Sequence, residues 1–151
     1  MSKKVIMVAD PFGFPLKKAV KEHLQSEGYE IIDLGTDSPD HFIDYYEVGS
    51  KAAKAIQNGV ADRAIIFCGS GMGVSLTANK FKGIRAGICH DVFSAHQGVE
   101  DDDMNVLCLG AGIIGPSLAE DVIDAFLNAK LKHEERYKRR LDKIKKIEEG
   151  K

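Results

Sequence analysis

A chain of 151 residues is long enough for one domain with a real core and too short for two ordinary ones. With 44% hydrophobic and 29% charged residues and a formal net charge of −2, it describes a soluble globular protein without the basic field that nucleic acid requires. No segment approaches the ~20 apolar residues of a membrane span, and three cysteines without framework spacing point to a reducing cytoplasm rather than a stapled secreted domain.

The short apolar run after the charged start is too brief for a signal sequence and leads into a strand, Val5 to Ala9. That strand ends in Asp10-Pro11-Phe12-Gly13, a turn by composition. Pro15 suits a helix start, and Leu16, Ala19, Val20, His23 and Leu24 recur at helical spacing up to Gly28. Tyr29 to Leu34 is the second strand, followed by a polar loop from Gly35 to Asp40. A second helix is expected over Phe42 to Asn58, with Ala52, Ala53, Ala55 and Ile56 inward and Gly59 as its stop. Ala64 to Phe67 is short and apolar enough to be a strand buried on both faces. It breaks into Cys68-Gly69-Ser70-Gly71-Met72-Gly73, and Val74 to Lys80 returns to residues that form a helix.

Ile84 to Ile88 reads as a fourth strand ending at Cys89-His90-Asp91, Val92 to Val99 as a short helix, and Asn105 to Leu109 as a fifth strand ending at Gly110-Ala111-Gly112. Pro116 to Ala129 is an amphipathic helix with Leu118, Val122, Ile123 and Phe126 on one stripe. Strands alternating with helices give an α/β fold, a parallel sheet with helices on both faces. The tail from His133 to Lys151 differs in kind, being a charged helix with Tyr137, Leu141, Ile144 and Ile147 three or four apart. That stripe suits its own domain, a membrane surface or a second copy; acidic residues interrupt its basic face and favour the second copy. The expected organisation is a domain over 1–130 with 131–151 as a basic helix of the same domain.

The Gly-rich turn is where chemistry is expected. Exposed amides and a helix N-terminus favour an anion, and a thiol at the edge of those dipoles should ionise more readily than a free one. Taken alone, a cysteine after a buried strand is more often an inert apolar residue, and the glycine spacing matches neither a Rossmann fingerprint nor a P-loop. Position raises it, because ligands gather at the carboxyl ends of parallel strands. Asp10, Ser70, His90, Asp91 and the run Asp101 to Asn105 fall past strand or helix ends and could share that rim, although three consecutive carboxylates read by default as a solvated helix end. His90 reads as a satisfied strand-end histidine. Arg136 and Arg140 lie one helical turn apart and can jointly grip a phosphate. Neither HExxH nor CxxC spacing is present, so no metal or other cofactor is indicated.

These pieces together resemble one family over nearly the whole chain. The segment EGYEIIDLGT, Asp44-Tyr45, CGSGMG with Ala78-Asn79-Lys80, GIRAGICHD, NVLCLGAGIIGPSLAEDVIDAFLNA and the tail's Arg136-x-x-Arg139-Arg140 are similar to the type B ribose-5-phosphate isomerases and the Lac-type galactose-6-phosphate isomerases. The resemblance implies a three-layer, Rossmann-like five-stranded fold and a metal-free aldose–ketose isomerase working through a cis-enediolate. It implies Cys68 as base and Ser70 and the amides of Gly71 to Val74 as stabilisers of charge; on a pentose or hexose phosphate, Asp101 or His96 is the alternative to the family's ring-opening histidine. Asp10, Pro11, Tyr45, Gly69, Gly71, Met72, Gly73, Val74, Asn79, Asp102, Arg136 and Arg140 would contact or support a sugar phosphate. It also implies a homodimer or homotetramer, or pairing with a related second subunit, through a C-terminal helix that crosses over, with some of the site coming from the neighbour.

Three positions depart from the family pattern. Pro11 stands where many members have histidine, Glu100-Asp101-Asp102-Asp103 replaces a segment with a ring-opening histidine, and Gly112 stands where an arginine often meets the phosphate. A pattern that keeps the base and loses the ring opener suits a four-carbon sugar 4-phosphate, which cannot close a five- or six-membered ring. A hexose 6-phosphate and a non-catalytic sugar-phosphate-binding subunit are the other readings.

Overall fold

The computed structural model describes residues 3–150; Met1, Ser2 and Lys151, at the ends of the expected start and tail, lie outside the described residues. Five strands, β1 (Lys4–Ala9), β2 (Glu30–Asp33), β3 (Ala64–Cys68), β4 (Ala86–Ile88) and β5 (Val106–Gly110), form one sheet in the order β2-β1-β3-β5-β4. Every pairing in it is parallel. Which strands are central and which form the edges follows from composition. The apolar runs of β1, β3 and β5 are buried almost throughout and take the centre, whereas β2 and β4 are half-covered and form the edges.

Successive side chains of a strand face opposite ways, and the core divides accordingly. Val5, Met7, Ile65, Phe67, Leu107 and Leu109 pack with α1 (Phe14–Ser26), α4 (Val92–Asp102) and α5 (Pro116–Asn128). Ile6, Val8, Ile66, Cys68, Val106 and Cys108 pack with α2 (Tyr45–Gln57) and α3 (Met72–Ala78) on the other face. A sixth helix, α6 (Glu135–Glu148), lies against α4. The three-layer architecture expected from the sequence is therefore present. No helix among the described residues is long and apolar enough to cross a membrane.

Several boundaries and faces differ from expectation. α2 begins at Tyr45 rather than Phe42, because Asp44 is extended at the N-cap and Phe42 stays exposed ahead of it. α3 starts two residues earlier than expected, and α4 runs on to Asp102 before Asp103 turns at φ 51°. In α5, Leu118 is 41% exposed and Ala119 takes its inward place beside Val122, Ile123, Phe126 and Leu127. One turn of helix separates residues three and four apart, so 119, 122, 123, 126 and 127 form the tighter stripe. Of the tail's stripe only Tyr137 is buried, while Ile144 and Ile147 face solvent. Arg63 fixes the end of α5, donating to the carbonyls of Phe126 at 2.5 Å, Leu127 at 3.1 Å and Ala129 at 2.7 Å.

Candidate active site

The chain leaves β1 in one direction to form β2 and then crosses back to form β3, so β1 and β3 flank a topological switch point. Their carboxyl ends bring Asp10 and Cys68 together. The Asp10 amide donates to the Phe67 carbonyl at 3.1 Å, and the Asp10 carboxylate accepts the Gly13 amide at 2.7 Å. Burial raises the Asp10 pKa, with the amides of Gly13 and Phe12 opposing. Pro11 is part of this turn, and Phe12 projects from it into solvent against Gly69.

Cys68 is the last residue of β3 and is 5% exposed. The turn after it folds back because Gly71 adopts φ 86°, a conformation that costs glycine nothing. This aims the Gly71 amide at Cys68 Sγ, 2.9 Å away, with the amides of Ser70 and Val74 also directed at the sulfur. The expectation of a readily ionised thiol is nevertheless corrected. Burial is the largest influence and raises the Cys68 pKa, the Asp10 charge adds to it, and the three amides recover only part. Burial therefore holds the thiol in its protonated form more firmly than a free cysteine.

Around the sulfur, Ser70 is exposed and its hydroxyl accepts the Met72 amide at 3.3 Å. Met72 projects to solvent, whereas the Val74 side chain is fully buried and only its main chain faces the site. Tyr45, 55% exposed, lies over Gly73; a Cβ there would fall 2.6 Å from its Cδ2. The turn after β5 holds this loop from beneath, through Ala111 N–H to the Cys68 carbonyl at 2.7 Å and Gly112 N–H to the Gly69 carbonyl at 3.0 Å. Asn79 caps the end of α3. Its amide pairs with both main-chain groups of Ala86, at 2.9 and 2.7 Å, and so covers the outer edge of β4.

The remaining expected residues form a second group. α4 runs from the carboxyl end of the sheet back to the amino end, so Asp101 and Asp102 in its last turn lie about 14–15 Å from its start. Asp101 accepts from Gln97 Nε2 at 2.9 Å and pairs with Lys132 at 3.3 Å. Asp102 has a raised pKa from burial and the Asp101 charge, with Arg140 opposing. Arg136 donates to the Tyr137 hydroxyl at 2.7 Å and pairs with Glu134, while Arg140 lies over the Tyr137 ring. His96 pairs with Glu100 at 3.0 Å. Within one chain, these residues do not meet Cys68.

Sequence reasoning missed Lys17. It is 1% exposed, and its ammonium donates to Asp33 at 2.7 Å and the Thr36 carbonyl at 2.6 Å. The segment it holds exchanges two 2.7 Å hydrogen bonds with Ala9, next to Asp10. A signal existed, since Lys17 falls three residues before Val20 on the inward side of α1. His23, Glu27 and Asp124 bring possible ligand atoms within 4.8 Å of one another, but His23 and Asp124 are paired at 2.9 Å as a tie between α1 and α5.

The sequence model of the Ribose/Galactose Isomerase family matches residues 5–144. The chain is 39% identical over 147 residues to ribose-5-phosphate isomerase B of Escherichia coli, covering 97% of each. It is 38% identical over 121 residues to D-erythrulose-4-phosphate isomerase of Pectobacterium atrosepticum, covering 80% of each. The solved ribose-5-phosphate isomerase B of Clostridium thermocellum superposes with a TM-score of 0.93 at 38% identity, over 97% of this chain and 98% of that one.

Proposed function

The chain belongs to the ribose/galactose isomerase family, and from that premise we propose that it interconverts a phosphorylated aldose and its ketose through a cis-enediolate with Cys68 as base. Cys68 as thiolate takes the proton from the hydroxyl-bearing carbon beside the carbonyl and the carbonyl oxygen becomes the enediolate oxygen; the hydroxyl proton passes to that oxygen, the thiol returns its proton to the former carbonyl carbon, and the new carbonyl forms where the hydroxyl stood. The observation that carries this reading is Cys68 Sγ, placed at the switch point beside Asp10 with the amides of Ser70, Gly71 and Val74 converging on it. A base whose conjugate acid is weak takes a carbon-bound proton well, and preorganised donors meet the charge that then develops on the sugar oxygens. Asp10 holds a sugar hydroxyl, and Pro11, Tyr45, Gly69, Met72 and Gly73 line the approach.

A second copy completes the site in this reading, as a homodimer or homotetramer. Its Asp101, Asp102, Arg136 and Arg140 reach the sugar and its phosphate, since in one chain they lie at the other end of the sheet from Cys68. The exposed Phe12, Tyr45, Met72 and Phe93 at the rim support such a contact. Residues 131–151 are then the oligomer-contact part of a single domain, and three free cysteines suit a reducing cytoplasm.

Ribose 5-phosphate is the first substrate to test. A second reading, a tetrulose 4-phosphate, is favoured by one observation: Asp101 is held by Lys132 and Gln97, which leaves no free acid at the ring-opening place. Ribose 5-phosphate, erythrose 4-phosphate, allose 6-phosphate and galactose 6-phosphate assayed side by side in deuterated water decide between them. Incorporation of solvent deuterium at C2 of one of them is expected. Binding of these compounds without exchange in any would leave a non-catalytic sugar-phosphate-binding subunit.

A further inference from the structure

His90 follows β4 and takes no part in either group of site residues. Its Nε2 lies 2.8 Å from the Gly110 amide, which donates to it. An acceptor nitrogen carries no proton, so the imidazole is neutral with its proton on Nδ1. Burial agrees, lowering the His90 pKa against the opposing charge of Asp91. The bond is unusual in what it holds. Gly110 ends β5 directly opposite Cys68, in register. A Cβ on Gly110 would lie 2.8 Å from Ser70 Cα and 2.9 Å from the Gly69 carbonyl oxygen, so the catalytic loop rests on bare main chain there. The next two residues, Ala111 and Gly112, donate to the carbonyls of Cys68 and Gly69. One imidazole therefore anchors the first residue of a three-residue shelf beneath the thiol and its loop.

We propose that His90 is a positioning residue for the proton transfer: by accepting the Gly110 amide it fixes the Gly110–Gly112 shelf, and through it the placement of Cys68 and the loop amides. The inference rests on the isomerase reading for its kinetic consequence and on the structure alone for its mechanical one. Proton transfer is sensitive to displacements of about an ångström, which cost up to 10²-fold in rate. The shelf acts on the base and its donors, so loss of the acceptor lowers kcat and leaves KM nearly unchanged.

The test compares His90→Leu, which removes the acceptor, with His90→Gln, whose side-chain oxygen can reach the place of Nε2. In His90→Leu, kcat on the substrate identified above is expected to fall ten- to a hundredfold with KM within about threefold, and His90→Gln is expected to restore most of the loss. Amide exchange followed by NMR should be at least tenfold faster at Gly110 in the leucine variant than in the wild type and the glutamine variant. The imidazole nitrogen shifts of the wild type should report a proton on Nδ1 alone. A leucine variant with kcat within twofold of wild type, a glutamine variant as impaired as leucine, or a proton on Nε2 would each overturn the proposal. Should the leucine variant fail to fold, the glutamine kinetics and the nitrogen shifts still decide. A wild type inactive on every sugar phosphate would sink the isomerase reading separately, leaving amide exchange at Gly110 to judge the positioning role.

Discussion

Gly73→Ala separates what α3 does for the fold from what it does for the site. The added methyl would fall 2.6, 2.8 and 3.0 Å from Cδ2, Cγ and Cε2 of Tyr45, and no main-chain atom lies as near. Tyr45 is more than half exposed at the start of α2, so its ring can swing into solvent. An unfavourable rotamer costs about 0.5–1.5 kcal/mol, and exchanging glycine for alanine within a helix returns up to about 1 kcal/mol. The two nearly cancel, and stability should change by less than about 1 kcal/mol, a shift of at most about 4 °C in Tm for a chain of this size. Activity should not be spared, because the ring leaves the approach to Cys68. Loss of one aromatic contact of about 1.4 kcal/mol raises KM about tenfold. Urea unfolding and steady-state kinetics measure the two effects, and Tyr45→Ala added to Gly73→Ala should raise KM little further. A stability loss above ~2 kcal/mol would show Tyr45 to be locked in the fold, and an unchanged KM would show that it does not face substrate.

Cys68→Ala should reduce turnover by about 10²- to 10⁴-fold while sugar phosphate still binds, and C2 deuterium exchange with calorimetric binding checks both. It also strips the Gly71 amide of its acceptor, so denaturation should report a loss of about 1–2 kcal/mol. Asp33→Asn leaves the Lys17 ammonium buried without its counter-charge, and a cost of about 3–5 kcal/mol is expected in urea unfolding. The wild type should show the matching pH dependence. Burial works against the Asp33 carboxylate, yet hydrogen bonds from Lys17, Gly35 and Lys21 hold its pKa below the ordinary value of 3.8. Its contribution is then present above pH 3.8 and lost as pH falls through the lower folded value. His23 has the opposite sign: its bond to Asp124 raises it above 6.5, so that tie is complete below pH 6.5 and lost as pH rises through the folded value. Tm measured from pH 6 to 9 should fall less in His23→Gln than in wild type.

Much of this was legible in the residues because burial writes itself into apolar runs. Ala64 to Phe67 is short and apolar enough for a strand covered on both faces, and Pro15, Gly28 and Gly59 mark helix ends. The order of strands was not legible, since nothing local in Val106 to Gly110 says that it inserts between β3 and β4. Neither was the sense of the Cys68 shift. Amide dipoles that favour a thiolate can be read from glycine spacing, but the burial that outweighs them depends on α2 and α3 closing over that face. Lys17 escaped for the same reason, because a lysine on a helix reads as solvated until the segment that accepts its protons is placed above it.

The division of the expected site into two groups follows from the topology itself. A helix between parallel strands returns to the amino end before the next strand begins, so residues in its last turn are carried away from the rim where its own sheet binds. Asp101 and Asp102 lie between His90 and Gly110 in the sequence, both of which reach the rim, yet α4 places them at the other end. Arg136 and Arg140 follow them there, because Lys132 binds the Glu100 carbonyl at 2.9 Å through its amide and Glu100 and Asp101 through its ammonium. Whatever the two groups do together, one chain does not bring them into contact. Separately tagged Cys68→Ala and Arg136→Ala/Arg140→Ala chains test this: inactive alone, they should regain about a quarter of wild-type turnover per site when co-expressed at equal amounts. Mixed assemblies without recovery would place base and arginines in the same chain's site, against the geometry of α4.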